Sequence, residues 1–262
     1  MGDLSVLRER LEGYEQVVVA FSGGADSAFL AWTAHEALGP ERVLAVTAVS
    51  PSLAGFERDD CAALAHEWDL QWLEVATDEL ADAAYRANDI DRCAHCKTAL
   101  MDVLEPVATR RRATVVLGVN LDDLGDHRPG QAVAAGRGAA FPLVEAGFTK
   151  DDVRAASRRL GLRTWDKPAA ACLASRVPYG TPVTLSVLRE VEAAETGLRA
   201  LGFTELRVRH YGELARIEVP LAELDRVVAR RSEVVAAVQA AGYRYATLDL
   251  EGLRSGNLNP AT

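Results

Sequence analysis

The sequence lacks the long apolar runs and the excess of positive charge that are typical of membrane and nucleic-acid proteins. None of its apolar runs reaches the ~18 residues that a membrane span requires. Lysine and arginine number 29, against 38 aspartates and glutamates, and the net charge of −9 argues against a broad basic surface for a polyanion. We therefore expect neither a membrane partner nor a nucleic-acid partner.

Targeting signals and cysteines are also scarce. The first residues have no signal-peptide pattern and fit the myristoylation spacing poorly, so we expect a cytoplasmic protein. In a reducing compartment, the four cysteines are not expected to form structural disulfides. The length of 262 residues suits one large or two modest domains.

Two common phosphate-binding motifs, G-x-x-x-x-G-K-[ST] and G-x-G-x-x-G, are missing from the first glycine turn, which carries a different pattern. Residues 17–21 are apolar and mostly β-branched, which predicts a buried strand, and residues 28–38 have helical spacing. The turn between them contains Ser22, Gly23, Gly24, Asp26 and Ser27. Glycines at a helix start let backbone N–H groups approach a phosphate, and a carboxylate beside phosphates suggests a bound Mg²⁺.

Strands and helices alternate along the first two thirds of the chain. Strands are predicted at 17–21, 42–49, 72–75 and 114–118, with helices at 4–16, 56–68 and 96–109 and a capped helix from Thr149 to about Gly161. This order predicts an α/β fold with a doubly wound parallel sheet. Ligands bind at the carboxyl ends of such strands, where Gly118 and Asn120 also lie.

The remainder of the chain reads as a smaller α+β domain. Helices are predicted at 185–201 and 221–240, and strands near 204–210, 214–219 and 243–250. We place the boundary so that residues 1–181 form the first domain and residues 182–262 the second, which we expect to serve substrate binding or oligomerisation. A homo-oligomer is expected, although the sequence itself does not show oligomeric state.

Cys93 and Cys96 form a C-x-x-C motif at a predicted helix start. Such a motif is found in redox pairs, as half of a zinc site and among iron–sulfur ligands, and two incidental cysteines are the alternative. A second C-x-x-C is absent, which argues against a four-cysteine zinc site. The usual fold context of a thioredoxin-like pair is also missing.

Cys172 lies in a loop that Lys167-Pro168 and Pro178-Tyr179-Gly180 bracket. Arg176 follows four residues later, and a nearby cation favours the thiolate form of a cysteine. A buried, inert cysteine is the alternative. Cys61 has no such setting, since apolar residues of a predicted helix surround it, and we expect it in the core.

The turn at residues 22–27 resembles the SGGxDS loop of the PP-loop ATP pyrophosphatase superfamily, whose members cleave ATP between the α- and β-phosphates and adenylate an oxygen of the substrate. Further motifs along nearly the whole chain resemble the ATP-dependent sulfur transferases of nickel-pincer nucleotide cofactor synthesis, the LarE-type family. These motifs are Arg92-Cys93-x-x-Cys96-Lys97, Asn120-Leu121-Asp122-Asp123, His127-Arg128-Pro129-Gly130, Ala171-Cys172-Leu173-Ala174-Ser175-Arg176, Arg207-Val208-Arg209-His210 and Ala215-Arg216-Ile217-Glu218.

The resemblance implies ATP and Mg²⁺ as cofactors and pyridinium-3,5-biscarboxylic acid mononucleotide as substrate. ATP would adenylate a carboxylate, and a sulfur atom at Cys172 would displace AMP to leave a thiocarboxylate. In the sacrificial form of the family, that cysteine becomes dehydroalanine. Some relatives with three such cysteines bind a [4Fe–4S] cluster that carries sulfide, and here the ligands would be Cys93, Cys96 and Cys172. We favour the cluster.

The same resemblance assigns roles to individual residues. The ATP site would comprise Ser22, Gly23, Gly24, Asp26, Ser27, Gly118 and Asn120, with Asp26 on Mg²⁺. The substrate carries two carboxylates and a phosphate, groups that arginine binds bidentately, and the candidates are Arg128, Arg176, Arg207 and Arg209. Arg207 and Arg209 share one face of a predicted strand, for which a solvated strand face is the alternative.

Other functions compete with this interpretation. A tRNA thiolase would also use a C-x-x-C and a third cysteine, but it needs a basic track for RNA. An amide-forming relative such as an NAD synthase would need no cysteine. A non-catalytic ATP-binding module would have no use for Cys172.

Overall fold

The structure, a computed structural model, describes residues 2–124, 129–168 and 171–254. The chain divides into two compact units. The first contains residues 1–50, 55–79 and 91–170, and the second contains residues 51–54, 80–90 and 171–262. The predicted domains, 1–181 and 182–262, stay a prediction; these units divide after residue 170, and two short earlier segments belong to the second unit.

The first unit contains a four-stranded parallel sheet. Its strands are β1 Val17–Ala20, β2 Val43–Val49, β3 Trp72–Ala76 and β4 Thr114–Leu117, in the order β3-β2-β1-β4. Val18 of β1 pairs with Leu44 on one side and with Val115 on the other. The strands fall where the apolar runs predicted them, because a sheet buried on both faces needs continuous apolar residues.

The helices follow one another along both units. In chain order they are α1 Leu4–Glu12, α2 Ala25–Leu38, α3 Gly55–Glu67, α4 Ala83–Ala87, α5 Arg92–Arg111, α6 Leu121–Leu124, α7 Pro129–Gly136, α8 Pro142–Glu145, α9 Lys150–Arg159, α10 Leu185–Ala200, α11 Leu224–Ala229 and α12 Arg231–Ala240. The short helices α4, α6, α7 and α8 were not predicted, because so few residues show no clear period.

Alternate residues of the central strand feed two separate apolar cores of the first unit. Val17 and Val19 pack in one core with residues of α1, α2, α3, α8 and α9. Val18 packs in the other core with Met101 of α5 and Ala134 of α7. Since helices cover both faces of the sheet, the predicted doubly wound α/β fold is confirmed.

Two helix starts in the first unit bear on the sequence predictions. Helix α5 begins at Arg92 rather than at residue 96, because its first turn is polar and shows no apolar stripe. Cys93 and Cys96 therefore both lie within the first turns of this helix. The predicted cap of α9 is present: the Asp152 N–H donates to Thr149 Oγ1 at 3.1 Å, and the Thr149 N–H donates to Asp152 Oδ2 at 3.2 Å.

The second unit contains a three-stranded sheet. Its strands are β5 Arg207–Tyr211, β6 Leu214–Glu218 and β7 Tyr245–Leu248; β5 and β6 are antiparallel, and β6 and β7 are parallel. The sheet shares an apolar core with α10 and α12. The single helix predicted at 221–240 is instead a 3-10 turn followed by α11 and α12, because Arg230 leaves the helical conformation with φ −102° and ψ 22°.

No helix within the described residues is both long enough and apolar enough to cross a membrane.

Candidate functional site

The turn between β1 and α2 has the geometry of an anion site. Gly23 has a φ of +66°, in the left-handed region that glycine adopts without steric cost. Gly24 is the N-cap of α2 and has no side chain to occupy the helix start. The first N–H groups of α2, with the positive end of the helix dipole, therefore open directly onto the turn.

Two serine hydroxyls tie this turn together. Ser22 Oγ lies 3.1 Å from Ser27 Oγ, and Ser27 Oγ also accepts a hydrogen bond from the Ser22 N–H at 3.3 Å. Ser27 Oγ lies 3.2 Å from the Gly24 carbonyl oxygen, to which it donates. The strand end and the helix start are thus held close to each other, and we call residues 22–27 the phosphate loop.

Gly118, at the end of β4, approaches the phosphate loop closely. A Cβ atom at this position would lie 2.8 Å from the backbone nitrogen of Ser27 and 2.9 Å from the carbonyl carbon of Asp26. Both atoms belong to the backbone and cannot swing away. Any side chain at residue 118 would therefore displace the first turn of α2.

Asp26 and Asn120 face each other beside the phosphate loop. Asn120 is fully buried, and its Nδ2 donates to Asp26 Oδ1 at 3.1 Å. Burial raises the pKa of Asp26; the bond from Asn120 and the charges of Lys150 and Arg154 oppose the shift, and Asp123 adds to it. Asp26 Oδ2 has no hydrogen-bond partner among the described residues, so a cation could compensate the carboxylate there.

The carboxylate and the backbone of Asp123 hold Asn120 in place. The Asp123 N–H donates to Asn120 Oδ1 at 3.2 Å, and the Asn120 N–H donates to Asp123 Oδ2 at 3.3 Å. Lys150 of α9 forms an ion pair of 3.1 Å with Asp123. These contacts favour a supporting role for Asp123 over direct binding of a cation.

The cysteines differ in exposure. Cys93 and Cys172 are exposed, Cys96 is half-buried, and none of them is in a disulfide. Cys61 is buried as expected, and burial raises the pKa of its thiol to about 11. Cys93 and Cys96 belong to the first unit and Cys172 to the second.

The turn that follows Cys172 is anchored within the second unit. Residues 173–176 form a 3-10 turn in which Leu173 and Ala174 are completely buried. The Leu173 N–H donates to the Ser52 carbonyl oxygen at 2.8 Å. The thiol of Cys172 therefore lies at the exposed start of a fixed turn, which we call the cysteine turn, residues 172–176.

Arg176 is 4 % exposed, and its guanidinium holds the cysteine turn from inside. Nε and Nη2 donate to the two carboxylate oxygens of Glu195 at 2.9 and 3.1 Å. Nη1 donates to the carbonyl oxygens of Ala171 at 2.6 Å and Cys172 at 3.2 Å. The predicted substrate arginine is therefore already engaged by a buried carboxylate and by the backbone around the thiol.

Arg209 is engaged in the same way. It is 2 % exposed, donates from Nε and Nη2 to Glu218 Oε2 at 3.0 and 2.8 Å, and donates from Nη1 to the Ser175 carbonyl oxygen at 2.9 Å. Together, Arg176 and Arg209 cap three carbonyl groups of residues 171–175. Both arginines thus support the turn that presents Cys172.

Arg207 differs from these two arginines because no carboxylate partner binds it among the described residues. It is half-buried, and its Nη1 donates to the Arg254 carbonyl oxygen at 3.3 Å. Burial, together with the charges of Arg176 and Arg209, lowers the pKa of Arg207. A guanidinium with no carboxylate hydrogen-bonded to it is suited to an anionic group of a ligand. Arg128 lies outside the described residues.

Two buried residues of this region were missing from the sequence prediction. Glu195 interrupts the apolar stripe of α10, and a charge at such a position is a signal of a buried ion pair. Asn88 is completely buried, and its Nδ2 donates to the carbonyl oxygens of Pro178 and Thr181, both at 2.8 Å. Nothing in the sequence near Asn88 indicates this role, because its partners lie about ninety residues away.

No group of three or more His, Cys, Asp and Glu side chains within residues 2–124, 129–168 and 171–254 is arranged to hold a metal ion. The thiols of Cys93, Cys96 and Cys172 are suitable ligands for iron by their chemistry.

Comparison with known proteins identifies the family of the chain. Residues 5–116, which include the phosphate loop, match the family described as NAD synthase. An uncharacterised protein of Synechocystis is 43 % identical over 98 % of this chain and 96 % of its own length. The pyridinium-3,5-bisthiocarboxylic acid mononucleotide synthase of Lactiplantibacillus plantarum is 38 % identical over 95 % of this chain and 91 % of its own length. The chain therefore belongs to the LarE-type family of ATP-dependent sulfur transferases of nickel-pincer cofactor synthesis, within the PP-loop superfamily.

Proposed function

We propose that this protein adenylates a carboxylate of pyridinium-3,5-biscarboxylic acid mononucleotide with ATP and converts it to a thiocarboxylate. The relative from Lactiplantibacillus plantarum is named as the synthase of the corresponding bisthiocarboxylic acid mononucleotide, a product that supports this choice of substrate. The observation that carries the proposal for this chain is the exposed thiol of Cys172 on a turn that two buried arginines hold rigidly.

The first step is adenylation. The phosphate loop holds ATP, and Asp26 is the proposed ligand of Mg²⁺. Its buried carboxylate has a raised pKa and an oxygen without a hydrogen-bond partner in the described part of the chain, which suits a cation. A carboxylate oxygen of the substrate attacks the α-phosphorus of ATP, forms a P–O bond and expels pyrophosphate.

The second step is sulfur transfer at Cys172. A sulfur atom forms a bond to the acyl carbon, and the C–O bond to AMP breaks, so that AMP leaves. In the sacrificial version, the sulfur is that of Cys172; its Cβ–S bond then breaks with loss of the Cα proton, and dehydroalanine is formed. The carbonyl contacts of Arg176 keep the turn in place while the thiol reacts.

For the sulfur source, we propose that Cys93, Cys96 and Cys172 bind a [4Fe–4S] cluster. None of the three is buried and none is in a disulfide, which is compatible with ligation, although no such group is formed among the described residues. A bound cluster would supply an iron atom without a protein ligand, to which sulfide can bind.

For the substrate anions, Arg207 is the leading candidate because its charge has no carboxylate partner in the described part of the chain. Arg128 stays a sequence prediction for the same task. The contacts of Arg176 and Arg209 favour positioning over direct binding, since buried carboxylates match both charges. A homo-oligomer also stays a prediction.

The test is turnover with ATP, Mg²⁺ and the dicarboxylate mononucleotide, followed by mass spectrometry of substrate and protein. Wild-type protein should release pyrophosphate and form a thiocarboxylate. Cys172→Ala should still release pyrophosphate but form no thiocarboxylate, whereas Cys61→Ala, with its buried thiol removed, should form product. Full product formation by Cys172→Ala would overturn the role of this residue and would favour an amide-forming enzyme.

The same assay separates the two sulfur sources. Anaerobically reconstituted protein with a cluster should be brown, absorb near ~400 nm and turn over repeatedly with sulfide. Replacing Cys93, Cys96 or Cys172 should remove that colour. A colourless protein that turns over once, with Cys172 lighter by roughly 34 Da as H₂S is lost, would overturn the cluster and keep the function. Salt-sensitive tRNA binding would instead favour a tRNA thiolase.

A further inference from the structure

A largely buried lysine side chain outside the predicted ATP site contacts the phosphate loop. Lys167 Nζ donates to the Gly23 carbonyl oxygen at 3.1 Å. It also donates to Glu57 Oε2 at 2.7 Å and to Asp60 Oδ2 at 2.6 Å. The sequence placed Lys167 only at the edge of the Cys172 loop, so this contact is new information from the tertiary structure.

These three contacts account for the whole donor capacity of the ammonium group, which has three N–H bonds. The Lys167 side chain is only 16 % exposed. Burial alone would lower its pKa, but the hydrogen bonds and charges of Asp60 and Glu57 raise the pKa overall, so the group stays charged. Lys167 is therefore occupied as a fixed positive group and is not free to bind a phosphate directly.

The backbone of Lys167 is fixed as well. Arg154 of α9 donates from Nη2 to the Lys167 carbonyl oxygen at 2.9 Å and from Nη1 to the Trp165 carbonyl oxygen at 3.3 Å. On the opposite side of the contact, Gly23 packs closely on Cys61, whose Sγ lies 3.0 Å from the position of a Cβ at residue 23. Both partners of the bond are thus held in place independently.

The direction of the Gly23 carbonyl determines the direction of the next N–H. In a trans peptide, the C=O of one residue and the N–H of the following residue point in opposite directions. A carbonyl bound to Lys167 therefore directs the Gly24 N–H away from Lys167. That N–H donates to no other group among the described residues, as expected for a donor that binds an anion.

We propose that Lys167 is a positioning residue of the phosphate loop, which holds the Gly23 carbonyl so that the Gly24 N–H stays directed to the phosphates of ATP. A peptide free to rotate would present its carbonyl oxygen to the phosphates and repel them. This role rests on ATP binding by the family and not on the sulfur chemistry, and it is tested without any sulfur donor.

The experiment measures binding of Mg²⁺-ATP and of AMP by calorimetry in Lys167→Met, Lys167→Arg and a matched control. ATP has two more phosphates than AMP, so a loop defect weakens ATP more. We expect Lys167→Met to lower the affinity for ATP at least about tenfold more than the affinity for AMP, and Lys167→Arg to recover part of this loss. A purely structural role would lower the melting temperature without changing the ratio of the two affinities.

The control is Arg163→Met. Arg163 pairs with the same Asp60 at 2.7 Å and with Glu67 at 2.8 Å, but it does not contact the loop. Its loss should leave the ATP-to-AMP ratio within about twofold. An unchanged ratio in Lys167→Met, or an equal change in Arg163→Met, would refute the positioning role.

If Lys167→Met does not fold, the cause is the loss of the charge partner that Glu57 and Asp60 share, since Arg163 pairs with Asp60 and not with Glu57. The variant Lys167→Met with Glu57→Gln and Asp60→Asn removes both charges and should fold. It should still show the selective loss of ATP affinity, because no donor holds the Gly23 carbonyl. A normal ratio in this variant would equally reject the proposal.

Discussion

The phosphate loop and the cysteine turn are both fixed rigidly, but by opposite means. The phosphate loop relies on glycine backbone geometry and two serine hydroxyls, and its acid Asp26 forms no ion pair with a side chain of the described residues. The cysteine turn relies on Arg176 and Arg209, each paired with a buried carboxylate. The difference agrees with the tasks that we propose for them: an anion site must leave N–H groups unpaired, whereas capped carbonyls fix the turn that presents the thiol.

We expect the largest effect on stability from a substitution that destabilises the cysteine turn. Arg176→Met leaves Glu195 buried without its partner, which should lower the free energy of unfolding by about 3–5 kcal/mol. The double variant Arg176→Met with Glu195→Met should lose less of the free energy of unfolding, because no buried charge is left. Urea unfolding measures this, with the exposed Arg189→Met as control. A loss no larger than that of the control would show that the pair does not hold the turn.

ATP binding at the phosphate loop should be most sensitive to a steric clash with the backbone and not to a change of charge. Gly118→Ala brings a Cβ to 2.8 Å from the Ser27 nitrogen and should weaken ATP about a hundredfold, or about 2.7 kcal/mol. Gly136→Ala is the matched control, since a Cβ there meets nothing within 4 Å. Calorimetric titration of both variants decides the point, and equal ATP affinities would contradict the close approach.

Two further variants distinguish an arginine that binds the substrate from one that supports the cysteine turn. Arg207→Ala should weaken the pyridinium mononucleotide ten- to a hundredfold, about 1.5–3 kcal/mol, and should barely affect ATP. Arg209→Ala should also weaken binding of the substrate, but with a loss of stability because the buried Glu218 loses both hydrogen bonds from Arg209 and keeps its ion pair with Arg216. Ligand titrations and urea unfolding of both variants test this. Equal effects of Arg207→Ala on both ligands would indicate a structural role.

The smallest effect concerns the charge of Asp26. Because burial raises the pKa of Asp26 in the folded protein, the ionised form costs stability above its ordinary pKa near 3.8. Asp26→Asn should therefore raise the free energy of unfolding by about 0.5–2 kcal/mol at neutral pH, and the gain should vanish in acid. The same variant should no longer release pyrophosphate. A variant less stable than wild type at neutral pH would contradict the burial cost.

Local signals in the sequence were sufficient for much of the fold. The strands of the first unit, the phosphate loop and the cap at Thr149 and Asp152 depend on residues close together in the chain, and all are present. The break at Arg230 and the start of α5 at Arg92 were not predicted, because neither changes the apolar period.

The functional roles of charged residues were harder to predict. The strand period of two placed Arg207 and Arg209 on one face of the sheet, but it could not show that only Arg209 meets Glu218. The register of β5 and β6 does not decide this contact either, because it places Arg207 opposite Glu218 and Arg209 opposite Arg216. The bond from Arg209 to Glu218 runs diagonally across the two strands and is seen only once the side chains are packed. Likewise, the turn holding Cys172 depends on Glu195, nineteen residues from Arg176.

The sequence by itself determined the parallel sheet, the glycine turn between β1 and α2, and the family, because these depend on apolar period, glycine conformation and ordered motifs. Only the tertiary structure decided which charges are matched. Lys167 with Glu57 and Asp60, and Arg176 with Glu195, join residues far apart in the chain. A charge is stable inside a protein only beside its partner, and the partner is known only once distant segments have packed together.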